Sequence, residues 1–494
     1  MLWYGYIYYF TFIVVLLIAI IALFRLFYLN LFCKYDLISF LLKTILGFFM
    51  FFVAVSLTSL YYLMDIFSTF NIVYSSTNLD VFLFDYYSYD FLLNTKALNL
   101  NLVSVYYFPF IYIFVLITVL SIIFCLAYNS SELMSFIFYC TLILMAGYLL
   151  FFTDSLILFF LAYELLLVPS FFILYNFAKT RRCVEAAYLM FFWTQFGALF
   201  LIFAFLYLFF ICGTSLFSLM NEFYFSSFEL NFLFVCWIIG FGVKLPIWPF
   251  YGWLPKAHVE ASTNFSIFLS GVLVKFAFFG LLKCLVTISL EPTFYIIYPF
   301  LTIGIFDAVF KLFYQIDLKK LVAYSTVVEM HWLTICVISG QSALMLASFC
   351  MLISHALLST NSFLLVDAIG RRFKTRLITE VSGLNFMCPK LFIVCLVNTL
   401  VFLGFPGSIM FVAEILFFSF FFDLFPLLCL FYILLLYLIA PTFFFRIWMN
   451  VMFGSSTHML RTLPTDLSSR ETVVFIGLLF LMFWLGITWQ AFVF

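Results

Sequence analysis

Stretches of about 20 mostly apolar residues, the length that carries an α-helix through the hydrocarbon of a bilayer, follow one another along nearly the whole chain. Lipid offers no hydrogen-bond partners, so a spanning segment must satisfy its own backbone, and a helix does this residue by residue. The chain therefore reads as an all-α polytopic membrane protein. On that ruler, crossings fall at residues 6–28, 40–62, 107–128, 132–151, 155–177, 184–211, 229–252, 263–284, 294–314, 320–339, 342–364, 388–418, 425–447 and 471–492, about fourteen in all. Only 9% of the residues are charged and 67% are hydrophobic, where an ordinary globular domain carries about 25% charged residues. No soluble domain fits between the crossings. The mixed polar stretch 71–100, with Asp80, Asp85 and Asp90 among aromatics, is too interrupted to span and is expected at the surface, as is 213–227.

Charge excludes some partners. Lys+Arg and Asp+Glu number 22 each and there is no basic tail, so nucleic acid is not a partner; lipid is. The 12 cysteines are scattered in apolar runs, form no C-x-x-C pair and show no metal-like spacing with the 4 histidines, which makes them small buried hydrophobes. The 78 phenylalanines suit lipid-facing positions, where apolar bulk is all that is required. The apolar N-terminus lacks a basic leader and a small-residue cleavage pattern, and is expected to stay as a first helix. The basic loops KTRR (179–182), DLKK (317–320) and RRFKTR (371–376) follow the fifth, ninth and eleventh crossings and so share one side, the matrix or cytoplasm, with both termini opposite.

Two crossings are interrupted in the same manner. The seventh contains GFGVKLPIWPF (240–250) and the twelfth GFPGSIMFVAE (404–414), each joining glycine and proline to one ionisable residue. Five helices apart, they would cross in opposite senses, the pattern of inverted repeats whose discontinuous helices meet near the midplane.

Ionisable groups inside a bilayer are costly and mark function by default. Glu164 lies about ten residues from either end of the fifth crossing, with Pro169 five positions on to loosen the ladder; it reads as a functional acid or else as a helix-packing contact. Lys244 precedes Pro246, and the broken ladder supplies the polar niche that tolerates an ammonium, unless the side chain snorkels. Lys275 is central in the eighth crossing, whereas Lys283 at its end is expected to snorkel. Glu414 follows the second break, and His355 lies mid-helix among Ser354, Ser359 and Thr360. Glu329 and His331 are two apart and cannot share one face of a helix; Glu329 is the costlier to bury and the better candidate. His258 and Glu260 read as interfacial groups that cap, anchor or admit protons, and Asp307 with Lys311, spaced i,i+4, as a structural ion pair. Acid and base thus alternate from Glu164 through Lys244, Lys275, then His355 or Glu329, to Glu414. Such a chain, bridged by water, moves protons or small cations. No phosphate loop, nucleophile with a base, or haem-like histidine pair accompanies it.

AYELLLVP (162–169), GFGVKLPIWPFYGWLPKAHVEA (240–261), GVLVKFAFFGLLK (271–283), QIDLKKLVAYST (315–326) and FPGSIMFVAE (405–414) resemble signature segments of the antiporter-like membrane-arm subunits of NADH:ubiquinone oxidoreductase, respiratory complex I, and within them the subunit 4 branch. The likeness extends from about residue 80 to 450. It implies an antiporter-like fold with three leading helices in 1–128, a first five-helix repeat in 132–284, a second in 294–447 and a closing loop and helix in 448–494. It also implies proton translocation through Glu164, Lys244, Lys275, His355 and Glu414, with Glu329 standing where the family usually has a histidine. The enzyme would be the whole complex: this chain would bind no cofactor, and NADH, FMN, iron-sulfur clusters and ubiquinone would belong to partner subunits. Expected neighbours are the other membrane-arm subunits, especially antiporter-like subunits 2 and 5, in the mitochondrial inner membrane. Tyr251 departs from the family where a histidine often precedes the WLP segment, and DYYS from Asp85 departs from an early aspartate-glycine-x-serine. The competing readings are an Mrp-type cation/proton antiporter subunit and a non-conducting scaffold of the membrane arm.

Overall fold

The computed structural model describes residues 130–177, 180–220, 223–287, 297–339, 342–454 and 464–487. The expected crossings at 6–28, 40–62 and 107–128 and the polar stretch 71–100 lie outside the described residues. The chain divides into two units, Met1–Leu144 and Met145–Phe494, and every candidate relay residue belongs to the second.

Apolar continuity produces helices throughout. They are α1 (Ser130–Phe152), α2 (Leu156–Leu165), α3 (Leu167–Asn176), α4 (Arg181–Cys212), α5 (Ser227–Lys244), α6 (Trp253–Glu260), α7 (Thr263–Phe268), α8 (Val274–Thr287), α9 (Ile297–Phe313), α10 (Leu318–Ile338) and α11 (Ser342–Phe373). Then come α12 (Pro389–Phe402), α13 (Ile409–Leu424), α14 (Pro426–Tyr432), α15 (Ala440–Phe453) and α16 (Ser469–Ile487). Among the described residues six helices are long and apolar enough to cross a membrane. Three of their starts are set by side-chain oxygens that accept orphan amides, Thr180 for α4, a Ser226/Glu229 capping box for α5 and Asp317 for α10, with Ser408 doing the same for the shorter α13.

Burial separates a core from a lipid face. The apolar windows of Thr263–Val286, Leu318–Ile338 and Leu344–Phe373 are 94% buried, that of Arg181–Cys212 only 39%. On α4 the outer face is Phe192, Phe203 and Phe210, all exposed, which is where a bilayer would receive them.

Both interrupted crossings are broken where the sequence placed glycine and proline. After α5 the chain leaves the helix at Leu245 and resumes through a short turn (Phe250–Gly252) into α6. After α12 it turns through Gly404 and Gly407, at φ 71° and 90°, before α13 begins. Two further features recur five crossings apart. A π-helical turn spans Leu269–Leu273 between α7 and α8 and another spans Ile433–Ile439 between α14 and α15. Isolated antiparallel bridges join Ser155 to Leu216 and Asp317 to Leu377. In each bridge the N-cap of one helix, α2 or α10, pairs with a residue just beyond the end of the next long helix, α4 or α11. Three different local irregularities repeated at one spacing are what a duplicated five-helix unit produces.

Candidate functional site

The site begins at α2. Glu164, half-buried near its end, accepts a hydrogen bond at Oε2 from Gln195 Nε2 of α4 at 2.8 Å, while Oε1 is buried with no protein partner. Lys244 closes α5 and points back to the same helix: Nζ donates to the Tyr163 carbonyl at 3.0 Å and lies 3.4 Å from the centre of the Tyr163 ring, a cation–π contact. Glu164 and Lys244 interact electrostatically, yet the ammonium hydrogen-bonds to the peptide carbonyl, not the carboxylate. Pro246 explains the niche. With no amide of its own it leaves Ile247 to bond to the Gly242 carbonyl at 2.8 Å, and the Val243 carbonyl receives the Trp253 indole at 2.9 Å. A cavity of about 20 Å³, lined by Lys244, Ser170, Thr194, Trp253, Leu273 and Val274, lies against this lysine and reaches the start of α8. It holds about one water molecule.

Lys275, the second residue of α8, is wholly buried. It donates to the Ser270 carbonyl inside the π-turn and contacts Nδ1 of His355 on α11. The π-turn has a purpose here, because a wider turn loosens the ladder and frees carbonyl capacity for the ammonium. When Lys275 is protonated, Nδ1 must accept from it and a neutral imidazole then carries its proton on Nε2. Nε2 is 3.9 Å from Oε2 of Glu329 on α10. Glu329 in turn is within electrostatic reach of Glu414 on α13. Glu414 is buried with Oε2 unpartnered, and its carboxylate packs so closely on Gly404 that a Cβ there would collide with it.

The sequence-derived residues therefore form two clusters. Glu164 and Lys244 make one, and Lys275, His355, Glu329 and Glu414 the other, with the small cavity between Lys244 and α8 as the intervening space. Glu329 and His331 do face different ways: Glu329 toward His355, and His331 toward the first break, where its Nε2 accepts from the Trp248 amide at 2.8 Å. Asp307 and Lys311 pair at 2.7 Å, and the Tyr251 hydroxyl joins them, accepting from Lys311 at 2.7 Å and donating to Asp307.

Three expectations from the sequence need revision. Lys283 does not snorkel; it is buried, donates to the Thr153 carbonyl and lies 4.8 Å from the Phe217 ring centre. His258 is not interfacial but fully buried, stacked on Phe363 at 4.8 Å, with both ring nitrogens lacking a protein partner. It interacts electrostatically with Lys275, His355 and Lys319. Lys319 belongs to the basic DLKK segment, yet it is buried, with Nζ donating to the Ala261 carbonyl at 2.6 Å. The signal for Lys319 is present in Asp317, a helix N-cap that puts the lysine in a first turn and not in a loop.

The chain resembles known proteins over most of its length. The sequence profile described as "NADH:quinone oxidoreductase/Mrp antiporter, TM" matches residues 153–440. NADH-ubiquinone oxidoreductase chain 4 of Paramecium tetraurelia is 34% identical over 336 residues, 67% of this chain and 70% of that one. The chain 4 protein of Chondrus crispus is 33% identical over 385 residues, covering 76% of this chain and 77% of its own. A chain in the structure of respiratory complex I from Thermus thermophilus with bound NADH has the same fold, with a TM-score of 0.68 over 77% of this chain and 81% of that chain at 20% identity.

Proposed function

Because the chain belongs to the NADH-ubiquinone oxidoreductase chain 4 family of antiporter-like membrane subunits, we propose that its buried acids and bases carry protons across the membrane arm of respiratory complex I. The subunit performs no redox chemistry. NADH oxidation and ubiquinone reduction occur in partner subunits, which hold the NADH, FMN, iron-sulfur and quinone sites. Its neighbours in the arm are the antiporter-like subunits 2 and 5, and its setting is the mitochondrial inner membrane. Residues 1–128 lead, 132–284 and 294–447 are the two repeats, and 448–494 close the chain.

The observation that carries this reading is the sequence Lys275, His355, Glu329, Glu414, the first three on the three most deeply buried helices and the last within electrostatic reach of Glu329. Each member favours the charged form of an opposite neighbour and disfavours that of a like one. When Glu164 moves away from Lys244 the ammonium loses a stabilising anion and releases its proton toward the cavity. Arrival of positive charge at Lys275 favours ionised Glu329 through the intervening imidazole, whose two nitrogens face the two groups. An anionic Glu329 in turn favours a proton on Glu414. The 3.9 Å separation of His355 and Glu329 exceeds a hydrogen bond, so conduction there requires one side-chain rotation or a bridging water.

Lys244→Met and Lys275→Met in the assembled enzyme test the reading by the ratio of protons translocated to quinone reduced. The ratio is expected to drop in both. An unchanged ratio in both assigns the subunit to a scaffold.

A further inference from the structure

The two breaks solve the same problem differently. Leaving a helix orphans backbone amides, and buried ones must find acceptors. In the second break they are found locally: Gly404 N bonds to Val401 O at 3.0 Å, Phe405 N to Leu400 O at 3.2 Å and Ser408 N to Phe405 O at 3.1 Å. In the first break Leu245 N and Phe250 N also find backbone carbonyls, but Trp248 N does not; its acceptor is Nε2 of His331, 83 residues away on α10. The imidazole is fully occupied. Nδ1 is 2.8 Å from the Val327 carbonyl, so it carries the proton, and the lone pair of Nε2 faces the Trp248 amide. Protonating Nε2 would set donor against donor. His331 is thus held as one neutral tautomer and has no free lone pair with which to receive a proton.

Other contacts hold the same segment against the same pair of helices. Gly304 of α9 leaves room for the imidazole and for Trp248: a Cβ there would strike both. The Tyr251 ring meets His331 edge-on, with centroids 6.1 Å apart, and its hydroxyl is held between Asp307 and Lys311 of α9. Trp248 stands one helical turn's worth of residues past Lys244, along a stretch rigidified by Pro246 and Pro249.

We propose that His331 is a positioning residue: its neutral imidazole accepts the Trp248 amide, and with Tyr251 as a second anchor it clasps the first break to α9 and α10, fixing where Lys244 enters the proton path. The effect on pumping rests on the proposed relay; the clasp itself does not. Of the titratable and charged groups around the imidazole, Asp307 and Lys311 bond to each other and to Tyr251, Tyr324 lies on the same helix as His331, and Glu329 faces away toward His355.

The test compares His331→Gln, whose Oε1 reproduces the acceptor but does not titrate, with His331→Leu, which removes it, in the assembled enzyme. Hydrogen–deuterium exchange of the peptide spanning 245–252 is measured beside the proton-to-quinone ratio and its pH profile. In His331→Leu the Trp248 amide is expected to exchange roughly tenfold faster, the scale of one lost hydrogen bond, and the ratio to fall. In His331→Gln wild-type exchange, ratio and pH profile are expected. Tyr251→Phe, which keeps the ring, is expected to raise exchange less than His331→Leu, and it serves if the leucine variant does not assemble. The proposal is overturned if Gln protects the amide but loses pumping, which would make His331 a proton carrier. It is equally overturned if neither His331→Leu nor Tyr251→Phe alters exchange. Exchange is read without turnover, so failure of the relay, an unchanged ratio in Lys244→Met, leaves the clasp to be judged separately.

Discussion

Glu329 and His331 show how two neighbouring residues acquire opposite tasks. A helix turns about 100° per residue, so a spacing of two sends the side chains to nearly opposite faces. One face of α10 turns Glu329 toward His355 of α11, the other turns His331 to the first break. An acid at 329 suits its surroundings, because His355 and, beyond it, Lys275 lie on its side of α10. Glu329→Gln keeps the shape and removes the charge. Proton translocation is expected to fall roughly tenfold, about 1.4 kcal/mol on the transfer barrier, with assembly unchanged, as measured by pumping in reconstituted vesicles alongside native gel electrophoresis. Glu414 is expected to respond to a change in its floor: Gly404→Ala places a methyl against its carboxylate and also puts a Cβ at φ 71°, a conformation costing about 1–2 kcal/mol for an L-residue. Slower proton transfer with an intact helical circular-dichroism signal is the expected outcome.

Helices are the scale at which the sequence spoke most clearly. Proline announced the first break by removing a donor, and proline with glycine the second, where Gly404 and Gly407 adopt positive φ; each is a local effect legible without tertiary context. The two π-turns were not legible. ILLLYLI at 433–439 is by itself an ordinary apolar run, and only Pro441 just beyond it hints at a disturbed ladder. Burial of Lys319, Lys283 and His258 escaped as well, since a residue near a helix end is exposed or enclosed according to what lies across from it. Close approach of α4 and α5 depends on Gly197 and Gly240, where a Cβ on the first would meet the carbonyl of the second at 2.8 Å. Gly197→Leu is expected to force these helices apart at about 1–3 kcal/mol or more. Loss of assembled complex on a native gel, with the message level unchanged, is the measurement.

In residues 145–494 the C-terminal helix is tied to the loop end of α11 by charge. Arg371 reaches Glu471 at 3.3 Å, Arg372 bonds to the same carboxylate, and Asp466 accepts from the amides of Lys390 at 2.9 Å and Leu391 at 3.3 Å, capping α12 from another part of the chain. Glu471→Ala removes the anion that Arg372 bonds to, while Arg371 keeps Asp367 at 2.8 Å, and is expected to destabilise by about 3 kcal/mol. A lower unfolding temperature of the detergent-solubilised complex, with pumping retained below that temperature, checks it. The two breaks and the first π-turn put irregular backbone beside Lys244, Glu414 and Lys275. The space beside Lys244, about 20 Å³, has one more consequence. An excess proton would cross a one-water space by exchanging bonds with that water, whereas a sodium ion would have to bring a shell of several waters. A relay through a space of this size would therefore favour the ion that moves by exchange of bonds over any ion that must travel with its shell.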